Sequence, residues 1–323
     1  MDFSKKTQFY LTYLFTHPFK DNNGYKSFNI NKLPNEILLF IPTYDGFNQS
    51  VHPDVLFFPK TREGHHFYLV MTPYPWGKNR YENPSLLVSR DGTNFYELVK
   101  GLNPLVLAPP YGHNNDPDII FNSITETFNI YYLETMPPDS QNVILLTSQD
   151  GMKWFKKSII HYDLHSGDPL ILSPAIIFVD DIFYMFYVRA WRASQTAINY
   201  ITSTDGERWE KDSVNLVITN FPDQFAPWHL DVFQDENYFY MLVCGPYADL
   251  NLYLGRSVDL KYWAFLEEPI IKRSASFFDS ERIYRSCGII QDDILIVYFS
   301  IRTNQKSWQI GLKKFSLADL YQE

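Results

Sequence analysis

Pairs of ionisable side chains, two residues apart, recur along the chain. The pairs are His52 with Asp54, Asp116 with Asp118, and His229 with Asp231. Residues i and i+2 of a β-strand lie on the same face, so each pair would point in one direction from its strand. Carboxyl groups collected in this way can perform acid–base hydrolysis, because a protonated one assists the leaving group while an ionised one activates water.

Asp54 and Asp118 are the leading catalytic candidates, because each follows a proline at the start of an apolar run. The candidates for the proton donor are Glu82, Glu134, His52 and His229. The alternative for the aspartates is a structural one, in which they hydrogen-bond to loop backbone where strands begin.

Arginine and aromatic residues near these acids predict a sugar-binding surface, because guanidinium groups bind hydroxyls and flat rings stack on sugar rings. The candidate binding residues are His52, Trp76, Arg80, Asp116, Arg189, Trp191, Trp228, His229, Asp231, Tyr284 and Arg285. For the tryptophans, packing inside the fold is the alternative. The histidine–aspartate pairs lie in different repeats, so their spacing predicts no specific metal site, and no cofactor is expected.

A repeated string shows which elements must position these residues. It has the form serine, any residue, aspartate, a tight turn and an aromatic, in the segments 89–95, 148–154, 203–209 and 257–263. Its aspartates are 59, 55 and 54 residues apart, a period typical of stacked or radial repeats. Serine and aspartate can hydrogen-bond to turn backbone and glycine can supply a positive φ, so the strings are expected to be scaffold.

The repeats predict an all-β fold, a five-bladed β-propeller with four antiparallel strands per blade. Positions 54, 118, 175, 231 and 287 align, at spacings of 64, 57, 56 and 56 residues. The chain is expected to be a single propeller domain over 1–323, with blades that begin near residues 52, 116, 173, 229 and 285. Because each string lies between strands three and four, it marks one face of the disc, and the candidate residues gather on the opposite face.

The first 45 residues are expected to close the ring. Two runs there are strand-like, Phe9–Phe15 and Glu36–Ile41. Blade five has no outer strand of its own, so one of these runs would complete it.

The composition argues against two classes of binding partner. A net charge of -9 over 323 residues argues against nucleic acid or an anionic membrane as the main partner. The sequence shows neither a signal peptide nor an apolar run of transmembrane length, so a cytoplasmic location is expected. Cys244 and Cys287 fall in predicted strands and are expected to be buried free thiols.

With these features the chain resembles the five-bladed β-propeller glycoside hydrolases of family 43 and, more distantly, the invertase-type families. The resemblance spans residues 45–315 and implies hydrolysis of a glycosidic bond in an oligo- or polysaccharide. It implies Asp54 as the base or nucleophile and Asp118 as the aspartate that sets the pKa. The family's glutamate at the start of blade three has no counterpart in the segment Leu172-Ser173-Pro174-Ala175.

The Ser-x-Asp strings are similar to the Asp boxes of sialidases. In those enzymes three arginines bind a substrate carboxylate, and Arg189, Arg285 and Arg302 could form such a triad here. The resemblance therefore leaves an acidic sugar open as the ligand.

A glycosidase is the leading functional hypothesis. A carbohydrate-binding propeller without catalysis is the alternative, favoured by the absent carboxylate of blade three, and a protein-interaction scaffold is a third possibility. Binding to glycans without product release would distinguish the second hypothesis from the first.

Overall fold

Five β-sheets arranged as the blades of a propeller make up the described chain. The structure is a computed structural model that describes residues 28–192, 195–210, 213–221, 225–245, 250–273 and 280–322. The first strand of each blade contacts the first strand of the next, and the first strand of blade five contacts that of blade one. The ring is therefore closed, and the predicted fold is confirmed.

Strand bounds follow the predicted order within each repeat. Blade one contains β2 (Ser50–Arg62), β3 (His65–Pro73), β4 (Ser85–Ser89) and β5 (Tyr96–Glu97). Blade two contains β6 (His113–Asn122), β7 (Thr127–Met136), β8 (Ser140–Ser148) and β9 (Phe155–Asp163). Blade three contains β10 (Leu170–Val179), β11 (Ile182–Arg192), β12 (Gln195–Ser203) and β13 (Val214–Asn215).

The last two blades recruit additional segments. Blade four contains β15 (His229–Gln234), β16 (Phe239–Cys244), β17 (Leu252–Ser257) and β18 (Tyr262–Phe265), and β14 (Val217–Thr219) pairs in parallel with β18. Blade five contains β19 (Ser280–Gln291), β20 (Ile294–Thr303) and β21 (Trp308–Ser316), completed by β1 (Glu36–Leu39). A short helix, α1 (Leu317–Tyr321), follows β21.

The predicted closure of the ring is confirmed for one of the two N-terminal runs. Strand β1 pairs antiparallel with β21, from Glu36 opposite Lys313 to Leu39 opposite Ile310. The other run, Phe9–Phe15, lies outside the described residues. The parallel strand β14 was not predicted from the sequence.

Both faces of the central strands are buried, which explains why these segments read as continuous apolar runs. In β3, Phe67 and Leu69 pack in the cluster shared with blade five, while Tyr68 and Val70 pack in the cluster shared with blade two. Five such clusters fill the five junctions between neighbouring blades. Cys244 and Cys287 lie in them as buried free thiols, as predicted.

The Ser-x-Asp strings form turns with one hydrogen-bond pattern. In the first, the Gly92 N–H donates to Ser89 Oγ at 2.9 Å, and the N–H groups of Thr93 and Asn94 donate to Asp91 Oδ1 at 2.8 and 2.7 Å. The Tyr298 hydroxyl of blade five donates to the carbonyl of Gly92 at 2.9 Å. Gly92 has a φ of +74° and a Cβ there would lie 2.9 Å from Phe67, so this position of the first turn requires glycine.

A bulge distorts the first strand of several blades where the axis begins. The register of β2 against β3 shifts between Val51 and Asp54, and β6 and β10 shift at the equivalent positions. Within these bulges His52, Asp116 and Ser173 have φ values of 55°, 52° and 53°. Left-handed conformations of non-glycine residues are strained. In each of these three blades the strained residue turns its side chain toward the axis.

Helical structure is minor. Within the residues that the structure describes, no helical segment has the length and apolar character needed to cross a bilayer.

We expect Asp91→Asn to lower the free energy of unfolding at pH 7, because the variant loses the charge that the turn hydrogen bonds stabilise. The loss should be only about 0.5–1 kcal/mol, since solvent screens this partly exposed group. Burial alone would raise the pKa of Asp91, but hydrogen bonds from Asn94 and Thr93 outweigh burial and lower it to about 2. A carboxyl with a lowered pKa stabilises the fold above its unfolded pKa, near 4, and loses that contribution as the pH falls to about 2. Urea denaturation across this pH range should therefore show a shallower loss of stability in the variant.

Glu267→Gln, which removes an exposed carboxylate after β18, is the control. The prediction is contradicted if both variants keep the acid dependence of the wild-type protein.

Candidate functional site

The first strands bring one residue from each blade to the same level of the axis. We call this set the first axial ring: His52, Asp116, Ser173, His229 and Arg285. Asp116 Oδ1 lies 3.4 Å from His52 Nε2 and 3.4 Å from His229 Nδ1. These three residues offer ligand atoms that all lie within 4.8 Å of one another, and all three are buried.

Neighbouring groups fix the orientation of the first ring. Thr72 Oγ1 lies 2.9 Å from His52 Nδ1, so a hydrogen on Nδ1 leaves the lone pair of Nε2 directed at Asp116. The other oxygen of Asp116, Oδ2, accepts hydrogen bonds at 3.0 Å from the Ser173 N–H and from Asn115 Nδ2. The contacts therefore hold one imidazole and one carboxylate from behind.

The atoms that face each other have no hydrogen-bond partner among the described residues. They are His52 Nε2, Asp116 Oδ1 and His229 Nδ1, and the other ring nitrogen of His229 also has no such partner. A buried polar atom without a partner is costly, so a group of them aimed at one point indicates a ligand.

The electrostatics of the first ring favour the protonation states that a metal ion needs. Burial lowers the pKa of His52 to about 4 and that of His229 to about 3, with Asp116 opposing in both cases. Burial would raise the pKa of Asp116, but His229, His52 and Arg285 hold it at about 2. The imidazoles are therefore neutral and the carboxylate is ionised, which is the state of metal ligands.

The geometry fits a divalent ion such as Zn²⁺. Donor atoms around a tetrahedral zinc ion, at about 2.0–2.1 Å from it, lie roughly 3.3 Å apart. The distances from His52 Nε2 and from His229 Nδ1 to Asp116 Oδ1, both 3.4 Å, are close to that separation. Two histidines and one carboxylate also leave a position open for water or substrate, as catalytic sites do. The sequence predicted no specific metal site, because the three residues come from blades one, two and four.

Glu82 lies beside the first ring. Its Oε1 is 3.9 Å from His52 Nδ1, and its side chain is buried. Its backbone is fixed by the Asn114 N–H, which donates to the Glu82 carbonyl at 3.0 Å. Burial, with a smaller contribution from Asp116, raises the pKa of Glu82 well above its usual value and so favours its protonated form.

Tyr284 covers the side of the ring formed by the histidines. Its ring centroid is 4.1 Å from that of His229 and 5.5 Å from that of His52. Trp228 Nε1 donates to the Tyr284 hydroxyl at 3.3 Å. Because the hydroxyl accepts this bond, its own hydrogen can be donated to a further group.

Two residues further along the strands lies a second level, the second axial ring: Asp54, Asp118, Ala175, Asp231 and Cys287. Its aspartates accept backbone N–H groups from the next blade. Asp54 accepts from Ile119 at 2.5 Å and Asp231 accepts from Gly288 at 2.9 Å. Asp118 accepts from Ile176 at 3.1 Å.

Burial raises the pKa of all three aspartates in the second ring, to about 8 for Asp231. Asp54 adds to the rise at the other two. Arg285 compensates in part, since its buried Nη2 lies 3.4 Å from Asp118 Oδ1. These contacts assign the aspartates a role in joining blades.

A comparison with models of protein families assigns this chain to a family. A model described as the N-terminal domain of glycosyl hydrolases family 32 matches residues 107–282, more than half of the chain. The chain belongs to this family.

This family 32 chain is similar in sequence to a protein named as a sugar deacetylase. An A type blood N-acetyl-α-D-galactosamine deacetylase from Flavonifractor plautii is 27% identical over 233 residues, which cover 57% of this chain and 29% of that protein. The chain therefore spans less than a third of that relative's length.

Solved structures show the same fold. An N-acetylgalactosamine deacetylase from F. plautii, in complex with blood group B trisaccharide, has a TM-score of 0.77 at 22% identity over 88% of this chain and 95% of that one. An exo-1,5-α-L-arabinanase from a bovine ruminal metagenomic library has a TM-score of 0.60 at 14% identity over 82% and 92%. At these identities the likeness concerns the fold alone.

The five blades together bring most of the residues selected from the sequence to the propeller axis. The axis and its surroundings hold His52, Asp54, Glu82, Asp116, Asp118, Trp228, His229, Asp231, Tyr284 and Arg285. Glu134 is not among them, because it pairs with Lys156 of the outer strand β9. Thr72 was missed, since a lone threonine inside an aromatic strand carries no signal in the sequence.

The remaining candidates lie elsewhere on the loops and strands. Trp76 is 54% exposed, and Arg80 Nη2 donates to the Tyr81 hydroxyl at 2.7 Å. Trp191 is 53% exposed, with the guanidinium of Arg189 4.6 Å from its ring centroid. Their roles in binding sugar stay predictions.

We expect protein stripped of metal by a chelator to bind one Zn²⁺ per chain in calorimetry. His229→Ala should weaken that binding by more than the 10–100-fold typical of losing an outer-shell partner, because it removes a ligand. Glu267→Gln should bind as the wild type does. An equivalent of Zn²⁺ that survives His229→Ala would instead indicate the carboxylates of the second ring, and no binding at all would contradict the site.

We also expect Asp54→Ala to lower the free energy of unfolding by about 1–3 kcal/mol, because the buried N–H of Ile119 loses its acceptor. Asp54→Asn keeps an acceptor oxygen and should be less destabilised, as measured by urea denaturation. Loss of turnover in Asp54→Asn at unchanged stability would support the catalytic role that the sequence predicts for this residue.

Proposed function

We propose that this protein hydrolyses the acetamide group of an N-acetylated sugar residue in a glycan. The observation that carries the proposal is the set of converging, unpartnered ligand atoms of His52, Asp116 and His229 beside the buried carboxyl of Glu82. The relative named as an N-acetyl-α-D-galactosamine deacetylase supports this type of reaction.

Amide hydrolysis makes three demands on the site. Water must add to the carbonyl carbon, the carbon–nitrogen bond must break, and the amine must leave with an added proton. A divalent ion held by His52, Asp116 and His229 would polarise the carbonyl and acidify water. The protein's own side chains must move the protons and stabilise the oxygen.

Glu82 is suited to moving the proton. A carboxyl whose pKa is raised by burial can accept a proton from water and return it to the departing nitrogen, with its base and acid forms used in turn. Its Oε1 lies 3.9 Å from Nδ1 of His52, so the carboxyl is adjacent to the ring of one proposed ligand. In this assignment Glu82 is both the base and the acid.

Tyr284 is suited to stabilising the carbonyl oxygen. Its hydroxyl accepts the hydrogen of Trp228 Nε1 and so has its own hydrogen to donate. A donor fixed beside His229 would meet the negative charge that develops on the oxygen during water attack. Thr72 supports the same site by holding the His52 ring in place.

Cleavage of a glycosidic bond is the second candidate, favoured by membership of the glycosyl hydrolase family. It would use the axial carboxyls Asp54 and Asp118, with Glu82 as the acid. The products separate the candidates, since deacetylation releases acetate and a free amine whereas glycosidic cleavage releases a new reducing end. Binding without either product would indicate a carbohydrate-binding propeller.

We expect Glu82→Gln to lower kcat for acetate release by about 10²–10⁴-fold, because the amide can neither accept nor donate the proton. Acetate release from N-acetylgalactosamine-terminated oligosaccharides and N-acetylchitooligosaccharides measures the rate. Zn²⁺ binding should persist, since Glu82 is not one of the three proposed ligands.

Glu134→Gln separates the two glutamates that the sequence proposed as proton donors. It should keep most of the activity, because Glu134 is paired with Lys156. If Glu134→Gln is the variant that loses turnover, the assignment to Glu82 is wrong. If the wild type releases reducing ends and no acetate, the deacetylase proposal is wrong.

A further inference from the structure

Exposed aromatic rings lie in the segments that lead directly into the candidate site. Phe47 precedes β2, the strand of His52, by a few residues, and Tyr81 directly precedes Glu82. Trp76 belongs to the same connection between β3 and β4. We call Phe47, Trp76 and Tyr81 the aromatic platform.

The rings of the platform contact one another and remain open to solvent. The centroid of Phe47 is 4.6 Å from that of Trp76 and 5.9 Å from that of Tyr81. Trp76 is 54% exposed and Phe47 is 44% exposed. Large exposed apolar side chains that touch one another, unlike single exposed ones, indicate a binding surface.

The backbone holds Trp76 in a strained conformation, with a φ of 53°. Gln49 maintains it, since Gln49 Oε1 accepts from the N–H of Trp76 and from the N–H of Trp308, both at 3.2 Å. The Gln49 carbonyl also accepts from the Tyr74 N–H at 2.8 Å. Strain retained by a dedicated side chain is typical of functional positions.

Tyr81 is fixed independently of Trp76. The hydroxyl of Tyr44 donates to the Tyr81 carbonyl at 2.8 Å and accepts from Asn83 Nδ2 at 2.8 Å. The two residues that flank Glu82, Tyr81 and Asn83, are therefore both tied to Tyr44. A ligand would find the platform already ordered, which reduces the entropy lost on binding.

A row of aromatic contacts connects Tyr74 of this loop with His229 of the first axial ring. The Tyr74 ring lies 5.8 Å from Trp308, Trp308 lies 5.3 Å from Tyr284, and Tyr284 lies 4.1 Å from His229. The row begins at Tyr74, two residues before Trp76, and Tyr81 directly precedes Glu82, so both ends of the loop that carries the platform are next to residues of the candidate site.

The chemistry of the platform suits a sugar ring. Aromatic faces stack on the apolar faces of pyranoses, and a glycan also needs donors at the edges for its hydroxyls. Lys78 Nζ lies 5.3 Å from the Trp76 ring centroid, and the Arg80 guanidinium lies 4.7 Å from that of Tyr81. Both can supply such donors.

We propose that the aromatic platform is a subsite for a second sugar ring, next to the acetylated sugar that reacts at the first axial ring. This inference rests on the proposed function for the identity of the reacting sugar. It predicts that the enzyme prefers oligosaccharides to monosaccharides, and that the preference depends on Trp76.

The test is calorimetric binding in the Glu82→Gln background, which prevents turnover by the proposed mechanism. The probes are blood group A trisaccharide and triacetylchitotriose, with N-acetylgalactosamine and N-acetylglucosamine as their single-ring counterparts. Trp76→Ala should weaken binding of the preferred oligosaccharide about tenfold, as expected for a lost stacking contact. Binding of the single sugar should change less than about twofold.

Trp76→Phe keeps a ring and should restore most of the affinity, which distinguishes stacking from a general disturbance of the loop. Phe155→Ala removes a ring that is 74% exposed on β9 and should leave all affinities unchanged. Thermal melts of each variant verify that it is folded.

Two outcomes overturn the subsite. One is equal affinity of wild-type protein for each oligosaccharide and its single sugar, and the other is full oligosaccharide affinity in folded Trp76→Ala. Acetate release is measured separately, in protein that keeps Glu82. Trp76-dependent binding without acetate release would remove the proposed function and keep the subsite, whereas acetate release with a KM independent of Trp76 would do the reverse.

Discussion

Side chains that reach across the axis join each blade to the next. The first strand of a blade has an inner edge without a further strand to pair with, so its inward N–H groups need acceptors. Asp54, Asp118 and Asp231 supply them to blades two, three and five. Blade three has Ala175 at this position, and its Ser173 hydroxyl instead donates to the Leu230 carbonyl of blade four at 2.9 Å.

This constraint explains why acids collect in a dry place. Carboxyls that accept backbone N–H groups side by side are buried and close together, and both effects raise their pKa. Arg285 offsets part of the cost, because its guanidinium contacts Asp118 and donates to the Pro174 carbonyl at 3.0 Å. These contacts explain the burial of the second axial ring, and the catalytic role of Asp54 and Asp118 stays a prediction.

The first axial ring uses the same convergence for a different purpose. Two residues nearer the strand starts, Asp116 has a lowered pKa where Asp118 has a raised one. The difference comes from the neighbours, which are imidazoles around Asp116 and other acids around Asp118. A propeller thus supplies converging strand starts, and the residue at each start decides the chemistry, which is why the fold alone does not specify a reaction.

The order of strands could be predicted from the sequence because it depends on local patterns. The Ser-x-Asp turns repeat at a regular interval, and the aromatic strands read as apolar because both of their faces are buried. Even the closing strand β1 could be predicted, since blade five has no outer strand of its own. The candidate residues at the axis followed from their shared position in the repeat.

Which of those residues form the site was decided only by the tertiary structure. Asp116 follows His52 by 64 residues and His229 follows Asp116 by 113 residues, and no spacing rule relates side chains from different blades. Bulges with positive φ at His52 and Asp116 turn these side chains to one point, while Asp54 is turned to the backbone of the next blade. The structure separates the residues of each pair, because hydrogen-bond partners and burial exist only once the ring has closed. His52, Asp116 and His229 converge on one another, whereas Asp54, Asp118 and Asp231 accept backbone N–H groups of the next blade.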